Sequence, residues 1–304
     1  MSLVPVELPW GGGRRADERP RVIAGELDGE RVLVPLLTTD APVVTDQITV
    51  ATTLARTTGA TLQVLNPLSV ARQPTVEFRR EVTREDEGEL LTWALDQTSE
   101  LAARIGGVAA GRRLVKRVLG AASTHDADTL VVPGESPGGL LGADATERIA
   151  TGADCDVVVV NGQSGYEDVA SVLLPVAGGP HSGLAADVAQ RVAEDCDAWI
   201  DVLHVVDPEA TDRRRERAEA YVDAAYRRIA RPETTSTWVL EADDPAAAIV
   251  EQSNYYGLTV VGAPTRSRLS RFVYGSTTQS IRSNANSVVL STRNGADAGD
   301  LAGE

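Results

Sequence analysis

The sequence predicts an α/β protein made of two tandem, doubly wound, parallel five-stranded sheets. Three observations carry this. First, short apolar runs such as Val32–Leu37 and Thr129–Val132 alternate along the chain with stretches of helical period. Apolar runs of that length fit strands buried on both faces, and strand–helix alternation implies right-handed crossovers in a parallel sheet. Second, the order strand–helix–strand–helix–strand–helix–strand–helix–strand occurs twice, with Thr129–Val132 ahead of Gly134 matching Thr259–Val261 ahead of Gly262. Third, 304 residues accommodate two units of roughly 130–150 residues, each long enough to bury a core.

Residues 1–29 are rich in Gly, Pro and charge and read as a flexible arm. The first unit, residues 30–162, opens with the Val32–Leu37 strand. Thr45 offers a cap for a helix whose Ile48, Ala51 and Ala55 share a face and which Gly59 ends. Thr61–Leu65 is the second strand. A long helix follows, with Leu91, Ala94, Leu95, Ala102 and Ile105 at helical spacing, which leaves only Gly107–Ala109 for a third strand. Leu114, Val118, Ala121 and Ala122 mark another helix; Thr129–Val132 and Val157–Val160 are the fourth and fifth strands.

Gly162–Asp168 reads as a polar linker, and residues 169–293 form the second unit. Ala170–Val176 is its first strand, and Ser182 opens a helix with Leu184, Val188 and Val192 on one face. Trp199–Val206 is the second strand. The arginine-rich helix after Pro208 turns Val222, Ala225, Tyr226 and Ile229 inward, and Thr235–Leu240 is the third strand. Asp244-Pro245 is a cap followed by proline at the first helical position, starting a helix that ends near Gly257. Leu258–Val261, a helix over Thr278–Asn284 and Val288–Leu290 complete the unit. Residues 294–304 read as a flexible tail.

The net charge is −15 and Lys116 is the only lysine. This balance resembles that of proteins from halophilic archaea; it argues against nonspecific nucleic-acid binding, which needs a basic footprint. Cys155 and Cys196 lack metal or redox spacing and read as buried free thiols. His125, His181 and His204 form no metal-like cluster, and His181 reads as a solvated loop residue. No apolar run reaches the ~18–20 residues of a membrane span and no leader is apparent, so a cytoplasmic protein is expected, without membrane insertion.

The chemistry-bearing stretch is Leu258–Thr292. A buried strand ends at Gly262, a polar loop follows, and Gly275-Ser276-Thr277 opens a helix. Glycines admit a phosphate close to the backbone, and the free N–H groups at a helix start point at it. Gly262-x-x-Thr265, nine residues, then Gly275-Ser276-Thr277 resembles the nucleotide loop of the universal stress protein family, whose ATP-binding members carry Gly-x-x-Gly, nine residues, then Gly-Ser/Thr. Thr265 replaces the second glycine. The resemblance extends from Arg31 to Thr292 and implies the adenine nucleotide α-hydrolase-like fold, with the two units forming a pseudo-dimer within the chain whose last strands lie close together, and further homodimerisation as an expectation.

The resemblance implies an adenine nucleotide, ATP with Mg²⁺, in the second unit. Ala177 and Gly178 lie in the loop after its first strand, where family binders place an Asp. Val205 and Val206 would wall the adenine pocket; Gly262, Thr265, Arg266, Gly275, Ser276 and Thr277 would meet phosphates. Arg268 and Arg271 could add charge, or all three loop arginines could simply be solvated. In the first unit Gly142-Ala143-Asp144 puts an acid at the corresponding helix start, so this copy reads as structural. No nucleophile–base pair is visible, so at most slow ATP hydrolysis is expected. Three classes follow: a nucleotide-binding stress-response regulator; a nucleotide-free interaction or dimerisation module, towards a transporter among other partners; and, by fold analogy alone, a small-molecule enzyme.

Overall fold

The structure is a computed structural model; it describes residues 27, 29–38, 41–65, 104–106, 114–134, 143–162, 166, 169–262 and 288–295. In chain order the first half contains β1 (Arg31–Pro35), α1 (Ala41–Thr58), β2 (Thr61–Leu65), β3 (Arg104–Gly106), α2 (Leu114–Thr124), β4 (Thr129–Pro133), α3 (Ala143–Gly152) and β5 (Asp156–Asn161). The second half contains β6 (Ser171–Pro175), α4 (Pro180–Cys196), β7 (Trp199–Val206), α5 (Asp212–Ile229), β8 (Thr235–Glu241), α6 (Pro245–Ser253), β9 (Leu258–Gly262) and β10 (Val288–Arg293).

The strands form one sheet in the order β3-β2-β1-β4-β5-β10-β9-β6-β7-β8. Reading outward from the centre, each half runs fifth, fourth, first, second, third. Neighbours within each half are parallel, and the halves join through the antiparallel β5–β10 pair, which sets Val160 opposite Leu290 and Val157 opposite Arg293. The two five-stranded sheets are thus fused edge to edge into ten strands. Fusion at the centre satisfies two strand edges that would otherwise be open to pairing.

Period-two alternation splits the apolar residues between two layers. Val32, Val34, Val131, Val158 and Val160 face a core shared with α1, α4 and α5; Leu33, Leu130, Val132, Val157 and Val159 face α2 and α3. Helices α1 and α4, the first helix of each half, lie together under the larger core. Thr53 Oγ1 donates to Asp195 Oδ2 (2.8 Å), and Arg56 Nε to Asp195 Oδ1 (2.8 Å).

Several boundaries differ from the sequence reading. Helix α1 starts at Ala41, not after Thr45, because Pro42 fits the first turn of a helix. Strand β3 is Arg104–Gly106, not Gly107–Ala109, so Ile105 pairs with Val64 in the sheet; residues 66–103 lie outside the described residues. Tyr226 is half-buried, and α6 stops at Ser253. Leu27, within the expected arm, is buried and donates its N–H to Asp187 Oδ2 on α4 (2.7 Å). Asn294, at the start of the expected tail, is also buried. Both cysteines are free and half-buried; burial and the neighbouring Asp156 push the Cys155 thiol up to about 12.

Candidate functional site at the carboxyl ends of β6 and β9

Strand order reverses between β6 and β9: the crossover from β6 leads to β7 on one side, while β9 pairs on the other. In open α/β sheets the crevice outside the carboxyl ends at this point is where ligands bind. Its first wall is the loop between β6 and α4. Val176 extends the β6–β7 ladder, its N–H donating to Leu203 O (2.8 Å). Gly178 and Gly179 both have φ of 84°, a left-handed conformation that a side chain would strain. Gly179 is the N-cap of α4, no side chain caps it, and Pro180 follows at the first helical position. Ser182 closes the loop: its hydroxyl donates to Gly178 O (3.0 Å) and accepts from the Ala177 N–H (3.3 Å).

The second wall is the end of β9. A Cβ placed on Gly262 would lie 2.6 Å from His181 C and O and 2.7 Å from Ser182 N. Glycine is therefore required here by the backbone of α4's first turn. That turn is also fastened to the end of β10. Thr292 Oγ1 donates to His181 O (3.2 Å), and the Asn294 N–H donates to His181 Nδ1 (3.0 Å). His181 is accordingly buried, at 6 % exposure, rather than solvated. An Nδ1 that accepts a hydrogen bond places the proton of the neutral ring on Nε2.

The third wall is the end of β7. His204 Nδ1 lies 2.6 Å from Val176 O, and since a carbonyl only accepts, this nitrogen carries the proton. Burial lowers the His204 pKa, with the Val176 hydrogen bond opposing. Its ring packs against Tyr221 of α5, centroids 5.4 Å apart and planes tilted by 48°. The Tyr221 ring in turn covers Gly178, where an added Cβ would meet Cε1 at 2.6 Å. Val205 is half-buried; Val206 is buried, with its carbonyl accepting from the Ala242 N–H (2.9 Å).

The structure thus brings Ala177, Gly178 and Gly262 together around His181 and Ser182, while Val205 and Val206 stand on the adjoining strand. Thr265, Arg266, Arg268, Arg271, Gly275, Ser276 and Thr277 lie outside the described residues. Tyr221, His204, Thr292 and Asn294 were not singled out in the sequence as parts of this crevice. The described portion fits a nucleotide at one point: α4 starts without a side-chain cap, and a Cβ built on Gly179 meets nothing within 4 Å among the described residues. No group of three or more His, Cys, Asp or Glu among the described residues could hold a metal ion.

The first half differs at the matching place. Val32 pairs with Thr129 as Val172 pairs with Leu258, so β4 and β9 align from their first residues and Pro133, not Gly134, occupies the position of Gly262. Gly134 is packed tightly against the Asn161 side chain, and α3 begins at Ala143-Asp144.

Residues 170–293 match the model of the Universal stress protein family (Usp). No curated protein sequence matches the chain. Among solved structures, a universal stress protein from Archaeoglobus fulgidus DSM 4304 is similar, with 13 % identity and a TM-score of 0.57 over 89 % of this chain and 98 % of that one. A universal stress protein described as putative, from Pseudomonas aeruginosa UCBPP-PA14, has 14 % identity and the same TM-score of 0.57, over 90 % of this chain and 98 % of that one. The cytoplasmic domain of a prokaryotic cation chloride cotransporter has 12 % identity and a TM-score of 0.57, over 90 % and 98 %. At these identities the likeness is one of fold, and it spans both halves.

Proposed function

From the universal stress protein match over residues 170–293, we propose that the chain is a stress-response regulator whose second half binds an adenine nucleotide, ATP with Mg²⁺, at the carboxyl ends of β6 and β9. The observation that carries this is the left-handed Gly178–Gly179 pair at the switch point, where α4 starts without a side-chain cap and no described residue comes within 4 Å of a Cβ placed on Gly179. Ala177, Gly178, Val205 and Val206 take the adenosine side. The loop from Gly262 through Thr265 and Arg266 to Gly275, Ser276 and Thr277 takes the phosphates. Magnesium would be held chiefly by phosphate oxygens, as is usual for this cation. The role is binding rather than turnover, in the cytoplasm; among the described residues no helix is long and apolar enough to cross a membrane.

A second reading has its own support. The fold match to a cotransporter's cytoplasmic domain, with Gly262 taken up by packing against α4, fits a nucleotide-free interaction module acting on a transporter. Equilibrium dialysis against ATP, with mass spectrometry of small molecules released from the purified protein, separates the two. Adenine nucleotide in the extract and saturable ATP binding support the first reading. An empty extract and no binding at millimolar ATP favour the second.

A further inference from the structure

The two ends of the ten-stranded sheet are finished differently. At one end β3 has three residues, too short to template a further strand. At the other end β8 has seven, Thr235–Glu241, and among the described residues it pairs with β7 alone. It carries none of the usual edge protection. It has no proline and no lysine, and its one charge, Glu241, is paired with Arg215 of α5. The Ala242 N–H donates to Val206 O (2.9 Å), so the even-numbered residues of this stretch direct their backbone groups at β7. Those groups alternate sides along a strand, and the ones on Thr235, Thr237, Val239 and Glu241 therefore point outward. The side chains of the same residues turn to the α5 side, where Val239 packs against the larger core. Tyr226 is half-buried there; it falls within ~20° of Arg215 around α5, on the flank that Arg215 directs at β8.

Residues 4–10, Val-Pro-Val-Glu-Leu-Pro-Trp, match this edge in length and in parity. Apolar residues fill the even positions, and both prolines stand at odd ones. In an added strand the odd residues point their backbone outward, where the missing N–H of proline breaks no ladder and blunts the new edge. The even residues then offer N–H and C=O to β8 and set Val4, Val6, Leu8 and Trp10 on the α5 side, with Val239 and Tyr226. The connection reaches. The Leu27 N–H and Arg228, in the last turn of α5, share Asp187 Oδ2, and residues 230–234 join that end of α5 to Thr235. The chain from Trp10 to Leu27 spans up to about 55 Å, and Gly11-Gly12-Gly13 lets it turn off the sheet. The shortest path puts Trp10 beside Thr235 and Val4 beside Glu241.

We propose that residues 4–10 add to β8 as an eleventh strand, antiparallel to it, and so close the open edge of the sheet. Val6 stands opposite Val239, Leu8 opposite Thr237, and Pro5, Glu7 and Pro9 form the new outer margin.

Native-state hydrogen exchange of the full chain, followed residue by residue by NMR, tests this. The Thr237 and Val239 amides report the outer edge; those of Trp238 and Leu240, directed at β7, are the internal control. Wild type is compared with a chain lacking residues 1–10 and with Val6→Pro, Leu8→Pro and Glu7→Pro. Exchange at Thr237 and Val239 is expected to be slower in wild type than in the shortened chain by about tenfold or more, with the control amides little changed. Val6→Pro and Leu8→Pro should behave as the shortened chain does, because each removes an inward N–H, whereas Glu7→Pro should behave as wild type. Equal exchange in wild type and the shortened chain overturns the proposal. A Glu7→Pro chain as unprotected as Val6→Pro overturns it as well. Protection lost on dilution assigns the edge to a second copy and overturns docking within the chain.

Discussion

Gly262→Ala is expected to destabilise the protein whether or not nucleotide is present. The added Cβ would sit 2.6 Å from His181 C and O and 2.7 Å from Ser182 N, where contacts below 3.0 Å force something to shift. The obstacle is backbone, and it cannot swing away as a side-chain tip could. The turn is held by Thr292 Oγ1 and the Asn294 N–H on His181, and by the Ser182 hydroxyl on its own loop. Overpacking of this kind costs about 1–3 kcal/mol. At roughly 2–4 °C per kcal/mol for a domain of 150–250 residues, the melting temperature should fall by about 2–12 °C. Differential scanning calorimetry without nucleotide reads this directly. Gly179→Ala is the comparison: its Cβ meets no described residue within 4 Å, and its cost is the ~1–2 kcal/mol of a left-handed residue. A Gly262→Ala protein that melts with wild type would refute the packing argument.

Three further outcomes are expected. Burial lifts the Asp156 carboxyl to about 6, with the Gly295 N–H (2.9 Å) opposing and Asp187 and Asp128 adding. The folded value exceeds the unfolded one near ~4, so the carboxyl favours folding at low pH and becomes a cost as pH rises through about 6. Asp156→Asn keeps an oxygen for Gly295 and should be more stable at neutral pH by on the order of 1–3 kcal/mol, the gain shrinking towards pH ~4; urea midpoints across pH would show equal stability throughout if this is wrong. With a net charge of −15, dilution from molar to low KCl lengthens screening from ~3 Å to ~10 Å or more and should lower the melting temperature, while an unchanged curve would count against it. Asp244 Oδ1 accepts from the Ala246 and Ala247 N–H groups (3.0 and 3.1 Å), so Asp244→Ala should cost about 1 kcal/mol in denaturant unfolding, and no loss would mean the cap is idle.

The strand core was legible because buried parallel strands are short, continuous apolar runs, and β1, β2, β4, β5, β6, β7 and β9 fall within a residue or two of those runs. The edge strand β3 was not, because Ile105 also satisfies helical spacing with Ala102 and only three residues pair. The join between halves followed from family resemblance, since no local pattern announces which strand edge meets which. In the site, Gly178 and Gly262 were visible as glycines but their reasons were not. Gly262 answers to the α4 backbone, a contact between residues about 80 apart in the chain. Tyr221 and His204 were unmarked, because an aromatic one position before Val222 looks like helix surface until Gly178 is seen beneath it. His181 read as solvated because its partner, the Asn294 N–H, lies beyond the last strand.

The central claim is that nucleotide binds in the second half alone. Titrating wild type, Gly275→Val and Gly142→Val with ATP tests it most directly. On the sequence reading, in which Gly275 opens a helix, a branched side chain there would push the phosphate away, whereas the first half has Pro133 in place of Gly262 and an acid, Asp144, at its helix start. The account predicts that Gly275→Val abolishes binding and Gly142→Val binds as wild type does. Binding lost in Gly142→Val and kept in Gly275→Val, or no binding by wild type at millimolar ATP, would contradict it.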